Sequence, residues 1–153
     1  MPWTMEDATR AFLKSIRSGR ERSVCSALFD LVNRFDVDYL KHLARPETGL
    51  MDELQRLSVT AEPWSKRSRV LIDGSLTLLR LMNEGECRCW LLAHGVPACP
   101  LNLEQAKHMI NVDGVSAHYG EQVTRLFECS YCGTAFTATE CPGTSDPHWQ
   151  PVA

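Results

Sequence analysis

Through the first eighty or so residues, apolar positions recur at helical spacing. Ala8, Phe12 and Ile16 share one face of Met5–Ile16, with Arg10, Lys14 and Arg17 on the other, and Gly19 ends that segment. Val24, Leu28, Leu31, Val32 and Phe35 form the single apolar stripe of a second helix. Asp36 or Asp38 caps a short third helix through Leu40 and Leu43, which must stop before Pro46 because the residue ahead of a proline avoids the helical region. Leu50, Met51, Leu54 and Leu57 predict a fourth, and Thr60–Ser68 reads as a connection. Val70–Met82 is apolar on nearly every side, so it is expected to be the central buried helix, stopped by Asn83 and Gly85.

From Thr124 the pattern changes. Thr134, Phe136, Thr137 and Thr139 are strand formers, and Gly, Pro, Ser and Thr crowd the tail. The expected fold is therefore mainly α: a helical body over 1–100, a connecting segment over 101–128, and a small zinc-stabilised β-hairpin within a tail, 129–153, packed on the body.

Composition changes this picture at one point. A chain of 153 residues, 44% hydrophobic and 23% charged, is typical of a globular domain. At that length it can bury roughly 70% of its unfolded surface and needs no metal or disulfide merely to fold. Seven cysteines and five histidines are thus more than its size requires. The first residues carry no basic leader with an apolar run, and the longest uncharged stretch, Cys89–Leu103, is interrupted by Pro97 and Pro100. The expectation is a cytoplasmic protein without a membrane segment, in which clustered cysteines act as metal ligands before they act as disulfides.

Cys129-Ser130-Tyr131-Cys132-Gly133 carries the sharpest chemistry. A tight turn lets two thiolates separated by two residues reach one tetrahedral ion at about 2.3 Å, and a glycine after the second suits the turn's positive φ. Thr124–Glu128 and Thr134–Thr139 would be the flanking strands. The run Cys-x-x-Cys-Gly-x-x-Phe from Cys129 to Phe136 resembles the knuckle of zinc ribbons, and the resemblance covers about the last thirty residues. Zinc is the expected cofactor, with Cys129, Cys132, Cys141 and His148 as candidate ligands. The family's second Cys-x-x-Cys is missing, so the fourth ligand stays open, and Cys87 or Cys89 could replace His148. Cys87, Cys89, His94 and Cys99 have a spacing one residue short of a retroviral-type knuckle, but Trp90-Leu91-Leu92 is unlike the small, glycine-punctuated loop such a knuckle needs, and buried core thiols are the favoured expectation.

Such sites look closed, whereas a catalytic zinc keeps a position for water. No His-Glu-x-x-His, deaminase signature, phosphate loop or nucleophile elbow occurs, and the chain is expected not to be an enzyme.

Residues 102–123 resemble a helix-turn-helix. Asn102 and Gln105 make a capping box, Ala106, Met109 and Ile110 supply a buried face, and Asp113 can cap a second helix. That resemblance would direct Ser116, His118, Tyr119 and Gln122 at DNA, with Arg125 near phosphate. Asp113-Gly114 is also a type I′ hairpin signal, an ordinary helical connection would suit the segment too, and Leu28–Arg45 could hold the motif instead. A helical body followed by Cys129, Cys132, Gly133 and Phe136 is further similar to the zinc-containing C subunit of the flagellar master transcriptional activator, which implies transcription regulation. Net charge is −3, and residues 129–153 contain no Lys or Arg. Phosphate binding would then need a dimer or a basic partner. Two functions follow as expectations: a zinc-binding, DNA-binding transcriptional regulator, or a zinc-stabilised adaptor or inhibitor that binds another protein or itself and not DNA.

Overall fold

A computed structural model describes residues 4–34, 36–93, 96, 100–114, 122–140 and 147–152. They are mainly helical, with a four-stranded antiparallel sheet towards the C-terminus, and the chain divides into two compact units, Met1–Arg88 and Cys89–Ala153. The division falls ahead of the expected boundary at residue 100, so the segment from Trp90 onward belongs with the sheet.

Among the described residues, the first unit holds five α-helices. α1 (Met5–Arg17) starts in a capping box, with Thr4 Oγ1 accepting from the Asp7 N–H and Asp7 returning the bond to the Thr4 N–H, both at 3.1 Å. α2 (Glu21–Val32) buries Val24, Leu28, Leu31 and Val32 of the stripe predicted from spacing, and its fifth member, Phe35, lies outside the described residues. Asp36 caps α3 (Val37–Ala44) through a 3.2 Å bond from the Tyr39 N–H. A 3-10 turn at Pro46–Thr48 leads to α4 (Leu50–Thr60).

α5 (Lys66–Glu84) is the axis of this unit and packs on α2, α3 and α4. Its Leu71, Ile72, Leu78 and Leu79 are fully buried against Leu28, Leu40, Leu43 and Leu54. Val70, Leu81 and Met82 are only partly buried, so the helix has an outer side that its composition hides. Gly85 ends it in the left-handed conformation, φ 72°, where a residue with a Cβ would be strained. Beyond it the Arg88 guanidinium donates to the carbonyls of Val32 and Arg34, filling acceptors left open at the end of α2. Burial lowers the Arg88 pKa to about 10, against a raising influence from Cys87, and the group stays charged at neutral pH.

In the second unit, α6 (Trp90–Ala93) and α7 (Pro100–Gln105) precede the sheet, whose strands β1 (Met109–Asn111), β2 (Val123–Cys129), β3 (Ala135–Glu140) and β4 (His148–Pro151) lie in that order. The expected hairpin is its centre, with Phe127 opposite Phe136 and Glu128 opposite Ala135. Alternation in β2 turns Val123, Arg125, Phe127 and Cys129 inward. Trp149 of β4 packs on Phe127 and Phe136, with ring centroids 5.3 and 6.4 Å away. Leu91, Leu92 and Leu103 complete this smaller core.

The segment expected to form a helix-turn-helix folds differently over its described part. α7 runs from Pro100 to Gln105, so position 102 lies within it and not ahead of it. Met109 and Ile110, assigned to a helical face, instead enter β1 opposite Cys129 and Glu128. Pairing with β2 satisfies the backbone there, so continuing the helix would forfeit a sheet edge. The Val112 N–H donates to Leu126 O on β2 and Asp113 accepts from the Leu126 N–H, while the return strand of the alternative hairpin, 115–117, lies outside the described residues. Residues 115–121, where the second helix was expected, lie outside the described residues.

Candidate metal centre

β2 delivers Cys129 to the sheet's end. The chain reverses through Ser130-Tyr131-Cys132-Gly133, and the Gly133 N–H donates to Cys129 O at 2.9 Å while the Cys129 N–H donates to Thr134 O at 2.9 Å. Gly133 has φ 77°, the left-handed value its place in the motif predicts. A second tie comes from the α7–β1 turn: the Ser130 N–H donates to His108 O at 2.9 Å, and Ser130 Oγ to Lys107 O at 2.6 Å. The knuckle is therefore held from two directions before any ion is considered.

Cys87 and Cys89 follow the glycine stop of α5 and flank Arg88, whose side chain is already committed to the α2 carbonyls. Cys89 O accepts from the Leu92 N–H at 3.0 Å, which opens α6. The Sγ atoms of Cys87, Cys89, Cys129 and Cys132 all lie within 4.8 Å of one another, and this group could hold a metal ion. Tetrahedral coordination with bonds of about 2.3 Å would set the sulfurs about 3.8 Å apart. Cys89 and Cys132 approach to 3.2 Å, so that pair would open by about half an ångström to take an ion.

The four thiols differ in surroundings. Cys89 and Cys129 are buried, Cys87 is half-buried and Cys132 is exposed, which makes the Cys132 side the accessible one. The Cys132 pKa falls to about 7. Desolvation, the largest single influence, pushes it up, but bonds from the Thr134 hydroxyl and backbone, together with the Cys89 and Cys129 thiols, outweigh it. A thiol poised near neutrality releases its proton to an incoming ion readily.

The remaining candidates are placed as follows. His148 sits exposed on β4 opposite Thr139 and is not in the group, because strand alternation that sends Trp149 inward sends His148 to the other face. Cys141, His94 and Cys99 lie outside the described residues, as do Ser116, His118 and Tyr119. Gln122 is exposed just ahead of β2. Arg125 is buried on the inner face of β2, over the Phe127 ring, with Glu104 at 3.2 Å and Glu140 as ion-pair partners. Its charge is used within the fold. His108 gave no signal in the sequence, yet its Nε2 lies 3.7 Å from Cys129 Sγ.

No protein-family model, curated protein or solved structure matches the chain. The zinc-ribbon and helix-turn-helix resemblances therefore stand on residues alone. Among the described residues, no helix is long and apolar enough to cross a membrane.

Proposed function

We propose that Cys87, Cys89, Cys129 and Cys132 bind one structural zinc ion, and that the protein is a zinc-stabilised interaction module, an adaptor or inhibitor of another protein rather than an enzyme. The convergence of four sulfurs within 4.8 Å carries this reading. An all-sulfur tetrahedral set suits zinc, and four protein ligands leave no position for a catalytic water.

A protein partner is favoured over nucleic acid by charge. Residues 89–153 hold Lys107 and Arg125 against six acidic side chains, Arg125 is ion-paired, and four thiolates on zinc would add further negative charge. Tyr131, 71% exposed at the tip of the knuckle, offers an aromatic contact that the metal would hold rigid. Capture of a stoichiometric protein from nuclease-treated extract, lost on chelation or in Cys129→Ser, is the expected result; capture indifferent to both changes would contradict it.

A DNA-binding regulator is the second reading, and one feature of the helical unit favours it. Lys66, Arg67 and Arg69 lie exposed in the first turn of α5, at the positive end of the helix dipole, where basic residues do not help the helix. An anionic partner would relieve that. Retardation of DNA by the wild type at low salt, abolished in the triple Lys66, Arg67, Arg69 to Ala variant, would support this reading; no retardation would remove it.

A further inference from the structure

A zinc ion among four thiolates carries a formal double negative charge. Two of its sulfurs, on Cys89 and Cys129, are only 1% exposed and have little water to solvate them. Anionic groups in such places require hydrogen-bond donors, and donors to ligand atoms also fix a metal's geometry. On the accessible side, Thr134 Oγ1 lies 3.2 Å from Cys132 Sγ and can donate to it once that sulfur is ionised. On the buried side, the side chain that approaches is His108, whose Nε2 lies 3.7 Å from Cys129 Sγ.

His108 is held with more care than a filler residue needs. It is 5% exposed, its N–H donates to Leu103 O at 2.9 Å, and its carbonyl accepts from Ser130 N–H and Oγ at 2.9 and 3.1 Å. Its ring lies against Tyr131, with centroids 4.9 Å apart. The two residues that follow Cys129 thus grip the same histidine that its sulfur faces. Lys107, immediately before it, adopts φ 58°, which residues with a Cβ seldom do. Departures of that kind cluster where a neighbouring side chain must be aimed.

We propose that His108 is the outer partner of the metal centre, its Nε2–H donating to the Cys129 thiolate and so positioning that sulfur and slowing loss of the ion. This rests on the zinc reading above. His108 is a positioning residue and not a ligand: the sulfur group is complete without it. The bond also fixes the neutral ring in the tautomer protonated at Nε2.

Cadmium-113 substitution of the intact wild-type chain tests the bond directly. The expected result is one bound cadmium, with scalar coupling from cadmium to the His108 Nε2 proton transmitted through sulfur. An Nε2 without a proton and coupled directly to the metal would make His108 a ligand and overturn the proposal, as would a bound cadmium with no coupling to that ring. A chain that binds no cadmium would instead remove the four-cysteine reading, and the proposal with it. Variants give a second readout. His108→Phe keeps a ring against Tyr131 but loses the donor, and should weaken zinc affinity about 10- to 100-fold. It should also shift the sulfur-to-metal charge-transfer bands of the cobalt form to lower energy, with His108→Gln restoring most of both. Unchanged bands and affinity in His108→Phe, or rescue by His108→Cys but not by His108→Gln, would overturn the proposal.

Discussion

The two units solve the problem of stability by different means. Met1–Arg88 buries leucines from α2, α3 and α4 around α5, and the interlocking of Leu28, Leu40, Leu43, Leu54, Leu71 and Leu78 is sufficient reason for it to hold together. Cys89–Ala153 has, among its described residues, two short helices and a small sheet, with a core centred on Phe127, Phe136 and Trp149. Domains that small gain most from a staple, and on the zinc reading proposed above the cysteine group would supply one. Helical periodicity thus builds one unit from many modest contacts, while on the proposed zinc reading the other would concentrate its stability in a few sulfur atoms.

Removing the metal should separate the two most sharply. Structural zinc sites contribute about 10–16 kcal/mol of apparent binding energy at neutral pH, comparable with the whole stability of a small domain. Chelation should therefore cost β2 and β3 their amide-exchange protection while α5 keeps most of its own. Equal loss in both units, or in neither, would break the comparison.

Core truncations come next. Leu71→Ala in α5 should destabilise the helical unit by about 2–5 kcal/mol in denaturant unfolding and leave metal stoichiometry unchanged. Phe127→Ala should cost about 3–5 kcal/mol in the sheet and loosen the metal as well, because it removes the ring two residues before Cys129 on the same face. A metal affinity untouched by Phe127→Ala would mean that the knuckle stands independently of its sheet.

Two local devices sharpen the contrast at smaller scale. Asp36→Ala removes the cap of α3 and should cost about 1 kcal/mol, read from thermal unfolding of the helical unit. Gly133→Ala meets no atom within 4 Å, so its cost is backbone conformation alone, about 1–2 kcal/mol, and should register as faster metal release to a chelator.

The smallest effect is one of pH. Bonds from Ser68 and from the Ser65 backbone hold the Glu21 carboxyl below its ordinary value, against the opposing effect of desolvation. A depressed folded-state pKa contributes stability that is complete above the unfolded value and is lost as pH falls through the folded one. The tie between α2 and α5 should accordingly weaken on acidification below the usual glutamate range, and Glu21→Gln should flatten that part of the pH–stability profile. An identical profile in Glu21→Gln would show that the tie contributes nothing.

How much of this was legible in the sequence follows the same division. Helical stripes are local, so Val24 to Val32, the Asp36 cap and the Gly85 stop could be read from spacing alone. Cys129, Cys132 and Gly133 were equally legible because a knuckle is a local turn. The join of Cys87 and Cys89 to that knuckle was open only as an alternative, since about forty residues intervene and short-range pattern carries no information about which thiols meet. His148 was attractive by proximity in sequence, but strand alternation decides its face, and β4 had no clear signature of its own. The stretch 106–111 misled for a related reason: Met109 and Ile110 satisfy helical and extended patterns equally, and pairing with β2 selects the extended one. Arg125 reads as a phosphate contact until Glu104 and Glu140 are brought beside it.

The most direct test of the central claim is the metal content of the intact chain by native mass spectrometry, measured for the wild type and for Ser substitutions at each of Cys87, Cys89, Cys129 and Cys132. One zinc per wild-type chain is predicted, with retention strongly reduced in all four variants and unaffected in Cys25→Ser and His148→Ala. A wild-type chain that carries no metal after reconstitution with zinc, or one whose metal survives loss of Cys87 and Cys89 but not of His148, would contradict the account.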